Sequence, residues 1–245
     1  MIIMHCVPSA YVAFQQTRTA LCSGLIFLAA TCCSVHAAAP AVSASLDRTT
    51  AATVYGSPMQ VKLGEGATFV ESAEGHGVAP GSNGPAVTVP VPDRFWRGTG
   101  TLVFRFRITP ELLNKKGPAI PGRSFFPVES PVVRLEMGNI DGANLYLAVL
   151  LADVDLKKYK KRSSVGLSHV KSDRWYHLAV AWDNAAGNVE LYLNGTAQKS
   201  IRYRPWPHPA ARTGPLVLGG RAHGVTMSVD EIQLYETFLS EEEIR

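Results

Sequence analysis

The feature that most constrains this chain is a succession of short apolar segments with a period of two. The pattern is plainest in residues 100–108, where apolar side chains occupy every second position. Successive side chains of a β-strand point to opposite faces, so one face of this segment is apolar and the other carries two arginines. The apolar face consists of Leu102, Phe104, Phe106 and Ile108, and the other face of Val103, Arg105 and Arg107.

Similar segments recur along the chain and are separated by Gly, Pro and Asn, which is typical of strands joined by turns. No segment has the period of a long amphipathic helix. At 245 residues and 46% hydrophobic residues, the chain is long enough to bury one full core. We therefore predict an all-β fold, an antiparallel two-sheet β-sandwich. The predicted strand segments are residues 59–63, 85–91, 100–108, 131–138, 144–152, 174–183, 188–195, 214–220 and 228–236.

The amino-terminal residues predict an export signal. Arg18 precedes an apolar run over residues 20–35, and Val35-His36-Ala37 satisfies the small-x-small rule for signal peptidase. We predict a signal peptide over residues 1–37, cleavage after Ala37, and a secreted or periplasmic location. A retained membrane anchor is an alternative, although the apolar run is shorter than the roughly 20 residues that span a bilayer.

The four cysteines all lie inside the predicted signal peptide, so the mature part would contain no disulfide. An alternative interpretation of Cys32 is that it carries a lipid anchor. The residues Ala29-Ala30-Thr31 before it make a poor lipobox, because Thr31 stands where a smaller residue belongs. The cysteines are Cys6, Cys22, Cys32 and Cys33.

The remainder of the chain divides into a tether and a domain. Residues 38–58 are rich in Ala, Ser and Thr and predict a flexible amino-terminal segment, and residues 59–245 predict the folded domain. The predicted signal holds one of the 24 Lys and Arg residues and none of the 20 acidic ones, so the rest carries a formal charge of +3. This charge is too small to indicate nucleic acid. The basic cluster over residues 157–162 could bind phosphate, sulfate or an acidic sugar. Such a run is more typical of a solvated loop or of a strand edge, where lysines block unwanted pairing.

Two hairpins are predicted. Residues 139–143 join two apolar segments, and pairing across them sets Met137 opposite Leu145. In this register the opposite, outer face would present Arg134, Glu136 and Tyr146 to solvent or ligand. The second hairpin turns at Asn194-Gly195, because both residues accept positive φ. A sequon at Asn194 is the weaker reading of the same residues.

The carboxy-terminal segments carry a family resemblance. The series "RWYHLAVAWDNAAGNVELYLNG", "GPLVLGGR" and "VDEIQLYETFLSEEEI" resembles the second half of a laminin G-like jelly roll of the concanavalin A-like lectin and glucanase superfamily. The resemblance covers residues 173–244 well and residues 59–108 more loosely. It implies a jelly-roll sandwich with a short carboxy-terminal helical turn, which Ser240 and Glu243 would cap as a capping box.

The resemblance leaves function open, because lectins, adhesins, glycosidases, lyases and spacer modules share the fold. His177 resembles a structural position, and Asp230 and Glu231 resemble a pair that ties strand ends together. The glucanase motif Glu-x-Asp-x-x-Glu is absent from the sequence, so we expect no hydrolase with the paired carboxylates that retaining chemistry needs. A lyase-like set of Arg134, Tyr146 and His177 has no recognisable strand motif around it.

We expect a non-catalytic module that binds carbohydrate or an extracellular protein. Candidate ligand-binding residues are Arg134, Glu136 and Tyr146 on the outer face, and Tyr203 and Trp206 in a proline-stiffened loop, where an aromatic face can stack on a sugar. Residues 111–130 look like an insertion. The alternatives are a protein-interaction or surface-structural module without a sugar site, and a divergent glycan-active hydrolase or lyase.

Calcium is the ion that the resemblance implies, held by loop carboxylates and carbonyls. The candidate metal ligands are Asp141, Asp153 and Asp155, chosen only because they lie in predicted loops. No calcium motif of regular spacing surrounds them. Asp183 is a turn residue that would accept a hydrogen bond from its own backbone.

Overall fold

Eighteen β-strands form the described part of the chain, which a computed structural model defines. The described residues are 38–82, 84–110, 124–129, 133–139, 145–152, 159–166, 170–171, 173–202, 214–222 and 225–245. Between residues 124 and 166 only Leu135 has a described side chain. The predicted signal peptide lies outside these residues. All of the described residues fall within the compact unit Ala37–Arg245.

The strands are short, except for β8 and β18, and two single helical turns accompany them. A 3-10 turn spans Asp93–Arg97 and α1 spans Glu241–Ile244. In chain order the strands are β1 Val42–Ala44, β2 Ala51–Val54, β3 Ser57–Gln60, β4 Lys62–Leu63, β5 Thr68–Ser72, β6 Gly75–Ala79, β7 Val87–Val89, β8 Thr99–Pro110, β9 Ser124–Glu129, β10 Val133–Asn139, β11 Leu145–Ala152, β12 Tyr159–Gly166, β13 Trp175–Asp183, β14 Asn188–Leu193, β15 Thr196–Arg202, β16 Leu216–Leu218, β17 Gly220–Ala222 and β18 Val225–Tyr235.

Two antiparallel sheets result, which confirms the predicted all-β sandwich. Sheet A has the order β15-β14-β13-β8-β18-β1-β2-β3, and β17 and the β5–β6 hairpin join it through β18. Sheet B has the order β12-β11-β10-β9-β16-β7-β4. The basic cluster falls partly in β12, the end strand of sheet B as described, which agrees with the strand-edge interpretation.

The core lies between the sheets and is built from the alternation seen in the sequence. The four apolar positions of β8 are 0 to 3% exposed, and in β13 Leu178, Val180 and Trp182 continue the same layer. Sheet B contributes Leu135, Leu216 and Leu218, each 0% exposed. Burying side chains of this size stabilises the fold by about 1.5–3 kcal/mol each, before entropy is counted.

An aromatic cluster forms one part of this core. Phe95 and Trp96, from the 3-10 turn, pack against Trp182 of β13 with ring centroids 5.8 and 6.2 Å away, respectively. Gly100 makes this packing feasible, because a Cβ there would come within 2.4 Å of the Trp182 ring.

The expectation of a flexible segment over residues 38–58 is corrected by the structure. These residues form β1 and β2 and begin β3, and β1 pairs with β18 in the middle of sheet A. Val42, Ala44 and Leu46 are at most 2% exposed. The Ala-, Ser- and Thr-rich composition suggested a tether, but its small apolar side chains complete the core beside larger neighbours.

Two further predictions need correction in sheet B. Residues 124–129, predicted as part of an insertion, form β9, which pairs with both β10 and β16. In the β10–β11 hairpin, Met137 lies opposite Leu147 instead of Leu145, because β10 continues through Asn139. The shift is two residues, so it keeps the predicted faces.

No helix in the described ranges is long and apolar enough to cross a membrane.

Candidate functional site

A row of polar residues crosses the outer face of sheet A, the face turned away from the core. Asp230 of β18 and His177 of β13 both lie opposite Arg105 of β8. Asn194, which follows β14, extends the row: its backbone N–H donates to the carbonyl of His177 at 2.8 Å, and its Oδ1 accepts from the backbone N–H of His177 at 3.0 Å. Three neighbouring strands, β18, β8 and β13, and the turn after β14 therefore present hydrogen-bonding side chains along one line.

An open cavity of about 390 Å³ lies over this row, and we call it the outer groove. The turn between β5 and β6 forms one wall at Ala73, and the carboxy-terminal helix forms the other. The β13 residues Trp175 and His177 lie on the floor beside Arg105. The lining residues are Ala73, Arg105, Trp175, Tyr176, His177, Asn194, Gly195, Ile244 and Arg245.

Trp175 is fixed on the floor by contacts with two neighbouring strands. Its indole N–H donates to the carbonyl of Glu71 in β5 at 3.2 Å. The guanidinium of Arg107 lies 5.0 Å from the ring centroid, within the range of a cation–π interaction. The half-buried indole is therefore held in one orientation, with part of its surface lining the outer groove.

Arg105 is held by two carboxylates. Its Nε pairs with Glu231 at 2.7 Å and its Nη2 donates to Glu74 at 2.9 Å. Burial opposes the charge of Arg105, but the hydrogen bond to Glu74 and the charges of Glu231, Glu74 and Asp230 raise its pKa overall. The guanidinium is thus a permanent cation on the groove floor.

Asp230 and Glu231 lie at a β-bulge in β18, where the pairing with β8 shifts by one residue. Glu231 has a φ of 47°, and its backbone N–H donates to Asp230 at 2.8 Å. Ser72 of β5 donates its hydroxyl to the other oxygen of Asp230, which is 1% exposed. Burial raises the pKa of Asp230 despite these bonds. The pair ties β18 to the β5–β6 hairpin and to β8, in agreement with its structural interpretation.

His177 lies on the groove floor with its imidazole half-buried. Burial and then the charge of Arg105 lower the pKa of His177. The ring is therefore neutral at pH 7, and one of its nitrogens is a hydrogen-bond acceptor. No side-chain hydrogen bond joins the ring to another described residue.

Asn194 and Gly195 form the predicted tight turn, with φ values of 50° and 73°. Positive φ at both central residues is the geometry that an Asn-Gly hairpin adopts. Asn194 also lines the outer groove, and while its Oδ1 accepts from β13, its amide N–H₂ has no hydrogen-bond partner among the described residues. Arg245 packs on this turn, with its Nε 3.4 Å from the carbonyl of Gly195.

Residues 236–245 cover another part of the outer face, and Ile244 and Arg245 form the end of the outer groove. Leu239 and Ile244 are 3 and 5% exposed, and they pack in a small cluster with Val103, Ala179 and Ala181. Thr101 anchors the segment, donating to the carbonyl of Thr237 and accepting from the N–H of Leu239. Ser240 and Glu243 form the predicted capping box of α1.

The residues predicted to bind ligand are placed only in part. Arg134 and Glu136 lie in β10 and Tyr146 in β11, with Glu136 opposite Ala148 and Tyr146 opposite Gly138. Their side chains lie outside the described residues, and so do Tyr203 and Trp206 entirely. The proposed lyase-like set is not brought together in one sheet, because Arg134 and Tyr146 are in sheet B and His177 is in sheet A.

The candidate metal ligands Asp141, Asp153 and Asp155 also lie outside the described residues. Within the described ranges, no group of three or more His, Cys, Asp or Glu side chains is placed to hold a metal ion. Asp183 accepts from the backbone N–H of Ala186 at 2.9 Å, as predicted for a turn residue.

The outer groove was not predicted from the sequence, although the sequence contains one signal for it. Alternation placed Arg105 and Arg107 on the face of β8 opposite the core. The same alternation in β13 puts Trp175 and His177 on the face opposite Leu178. What local pattern does not give is the register that sets His177 beside Arg105, or the hairpin and helix that make the groove walls.

These observations define the class of the protein: an antiparallel two-sheet β-sandwich with a polar groove on the outer face of one sheet. Residues 135–245 match the family model described as the concanavalin A-like lectin/glucanases superfamily, which confirms the resemblance over that part of the chain. No curated protein sequence matches the chain.

Solved structures similar to the chain share its fold. The binding domain of botulinum neurotoxin serotype D has a TM-score of 0.60 at 18% identity, over 83% of this chain and 49% of that one. A botulinum serotype D ligand-binding domain in complex with N-acetylneuraminic acid has a TM-score of 0.58 at 14% identity, over 85% and 49%. The binding domain of Paraclostridial Mosquitocidal Protein 1 has a TM-score of 0.59 at 15% identity, over 84% and 50%. The chain thus spans about half the length of these structures.

Proposed function

We propose that this chain is an exported, non-catalytic module that binds carbohydrate in the outer groove. The observation that carries the proposal is the fixed indole of Trp175 beside the side chains of Arg105, His177 and Asn194 in one concave region. Sugar sites combine these two components: an aromatic surface for the apolar side of the ring and polar groups for its hydroxyls.

The rigidity of the floor supports a binding role. Trp175 is held by Glu71 and Arg107, Arg105 by two carboxylates, and Asn194 by the backbone of His177. A ligand that meets side chains already fixed in place does not have to order them, so less of its binding free energy is lost.

The state of the carboxylates supports a module without catalysis. Asp230 is buried and accepts from Ser72 and Glu231, while Glu231 and Glu74 both pair with Arg105. Glycoside hydrolysis needs one carboxyl free to donate a proton and a second free to attack or to activate water. No acidic side chain lines the outer groove, so its described residues supply neither.

The export signal over residues 1–37 gives the proposed module its place outside the cytoplasm. The similar solved structures are named as receptor-binding or ligand-binding domains, and one holds N-acetylneuraminic acid. At 14 to 18% identity they support the same broad class for this chain, and its sugar remains to be determined by experiment.

The test is a glycan array with protein purified after expression of the full chain. Specific binding is expected, and Trp175→Leu should weaken it about tenfold, because stacking and its accompanying contacts are lost. Tyr55→Leu is the matched control, since Tyr55 is an exposed aromatic, 40% accessible, in the β2–β3 turn. Equal loss in both variants would contradict a site at Trp175.

The loop and the ion predicted from the sequence can be tested in the same array. Loss of binding in Trp206→Ala with Trp175→Leu unchanged would move the sugar site to the loop that contains Trp206. Loss of glycan binding in the presence of a chelator would show that binding requires calcium. Absence of binding to every glycan would overturn the carbohydrate proposal in favour of a protein-interaction module.

A further inference from the structure

Several side-chain hydrogen-bond donors of the residues that line the outer groove have no partner among the described residues. Among the described residues, Nη1 of Arg105, Nη1 of Arg245 and the amide N–H₂ of Asn194 donate to no protein atom, whereas the neutral His177 ring supplies an acceptor. Donors without partners are best matched by a ligand group that has several acceptor oxygens.

The two carboxylates on Arg105 differ in how firmly they are held. Glu231 lies at the β-bulge of β18, and its side chain is 29% exposed. Glu74 lies in the turn between β5 and β6, and its side chain is 67% exposed. An exposed ion pair is weak, because water competes for both partners, so Glu74 can leave Arg105 at little cost.

Departure of Glu74 would free the Nη2 group of Arg105 next to the unpaired Nη1. A guanidinium edge with two parallel N–H groups fits a carboxylate in a bidentate pair. Glu74 is not itself a lining residue, but it follows the lining residue Ala73 and pairs with the lining residue Arg105. It therefore occupies the position on Arg105 that an incoming anionic group would take.

We infer that the ligand of the outer groove is an acidic sugar whose carboxylate displaces Glu74 from Arg105. This inference rests on the proposed carbohydrate function and goes one step further, since it names the chemical class of the ligand. Glu74 then acts as an internal competitor: the turn carries a carboxylate that keeps Arg105 paired until the ligand arrives.

The experiment compares acidic glycans with their carboxyl-reduced, neutral counterparts, using protein from the full chain. The unmodified protein should bind the acidic member of a pair more tightly, and the preference should shrink at high salt. Glu74→Gln should raise the affinity for acidic glycans about two- to fivefold, the weight of an exposed ion pair, and leave neutral glycans unchanged. Calorimetry measures both affinities.

Glu65→Gln is the matched control, because Glu65 is an exposed residue outside the outer groove and its side chain makes no described ion pair. An equal gain in Glu65→Gln would show a general charge effect and overturn the displacement of Glu74. Tighter binding of sulfated glycans than of carboxylated ones would overturn the inference that the ligand binds Arg105 through a carboxylate. If neutral glycans bind as tightly as acidic ones and binding still requires Trp175, this inference is overturned, but the proposed function is not.

Discussion

At the scale of single residues, the ionisation of His177 depends on its place in the outer groove. Its imidazole lies on the groove floor next to the cation Arg105, which is fixed there by Glu74 and Glu231. Burial and the charge of Arg105 lower the pKa of His177 below its ordinary value of 6.5. Protonation of this ring would place a second positive charge beside the first, in a site that water only partly reaches.

This shift makes the stability depend on pH in a definite direction. Because the folded-state pKa of His177 is below the unfolded value, the unfolded chain binds the proton first as pH falls. The stabilising contribution is complete above about pH 6.5 and is lost as pH falls from there through the folded-state pKa. We expect thermal unfolding between pH 7.5 and 5.5 to show a smaller decrease in Tm for His177→Gln than for the unmodified protein.

The control is Thr99→Val, which changes a half-buried residue outside the outer groove and removes no titratable group. It should retain the pH dependence of the unmodified protein over the same interval. Identical pH profiles for His177→Gln and the unmodified protein would contradict the role assigned to the ring.

At the scale of elements, the carboxy-terminal segment depends on one buried hydroxyl. Thr101 is 0% exposed, and its Oγ1 lies 2.7 Å from the carbonyl of Thr237 and 3.0 Å from the N–H of Leu239. Thr101→Val keeps the shape but leaves both backbone groups without this partner. We expect a loss of about 1–3 kcal/mol in the free energy of unfolding, measured by denaturant titration.

Thr99→Val is the neighbouring comparison, because Thr99 also donates to the segment, at the carbonyl of Glu236, but is only half-buried. Water can replace its bond, so the loss should be below about 1 kcal/mol. Equal losses for the two variants would mean that burial of Thr101 does not set the strength of its anchor.

The elements also show why some strands could be predicted and others could not. Alternation identified β8 and β13, since large apolar residues there share one face with the core. It failed for β1 and β2, where small residues such as Ala44 and Ala52 pack closely and give a composition typical of a linker. The outer groove could not be predicted from local sequence patterns, because its walls come from residues about 170 positions apart, Ala73 and Arg245.

At the scale of the whole molecule, the amino-terminal strands are part of one cooperative core. Leu46 is 0% exposed within the main apolar cluster, although it lies between β1 and β2. Leu46→Ala should cost about 2–4 kcal/mol, as other large-to-small core changes do. Leu63→Ala, at a partly buried position of β4, should cost less. A negligible effect at Leu46, measured by denaturant unfolding, would restore the interpretation of residues 38–58 as a tether.

The pairing of β1 with β18 also sets the order in which the protein can be completed. Val42 lies opposite Leu234, and β18 itself joins β8. During synthesis β1 can pair with β2 early, but it cannot join β18 until residues 225–235 have been made. Contacts of such long sequence separation form slowly, because loop closure must precede them. The hairpin that contains β1 therefore waits for β18 before it is joined to β8 and the rest of sheet A.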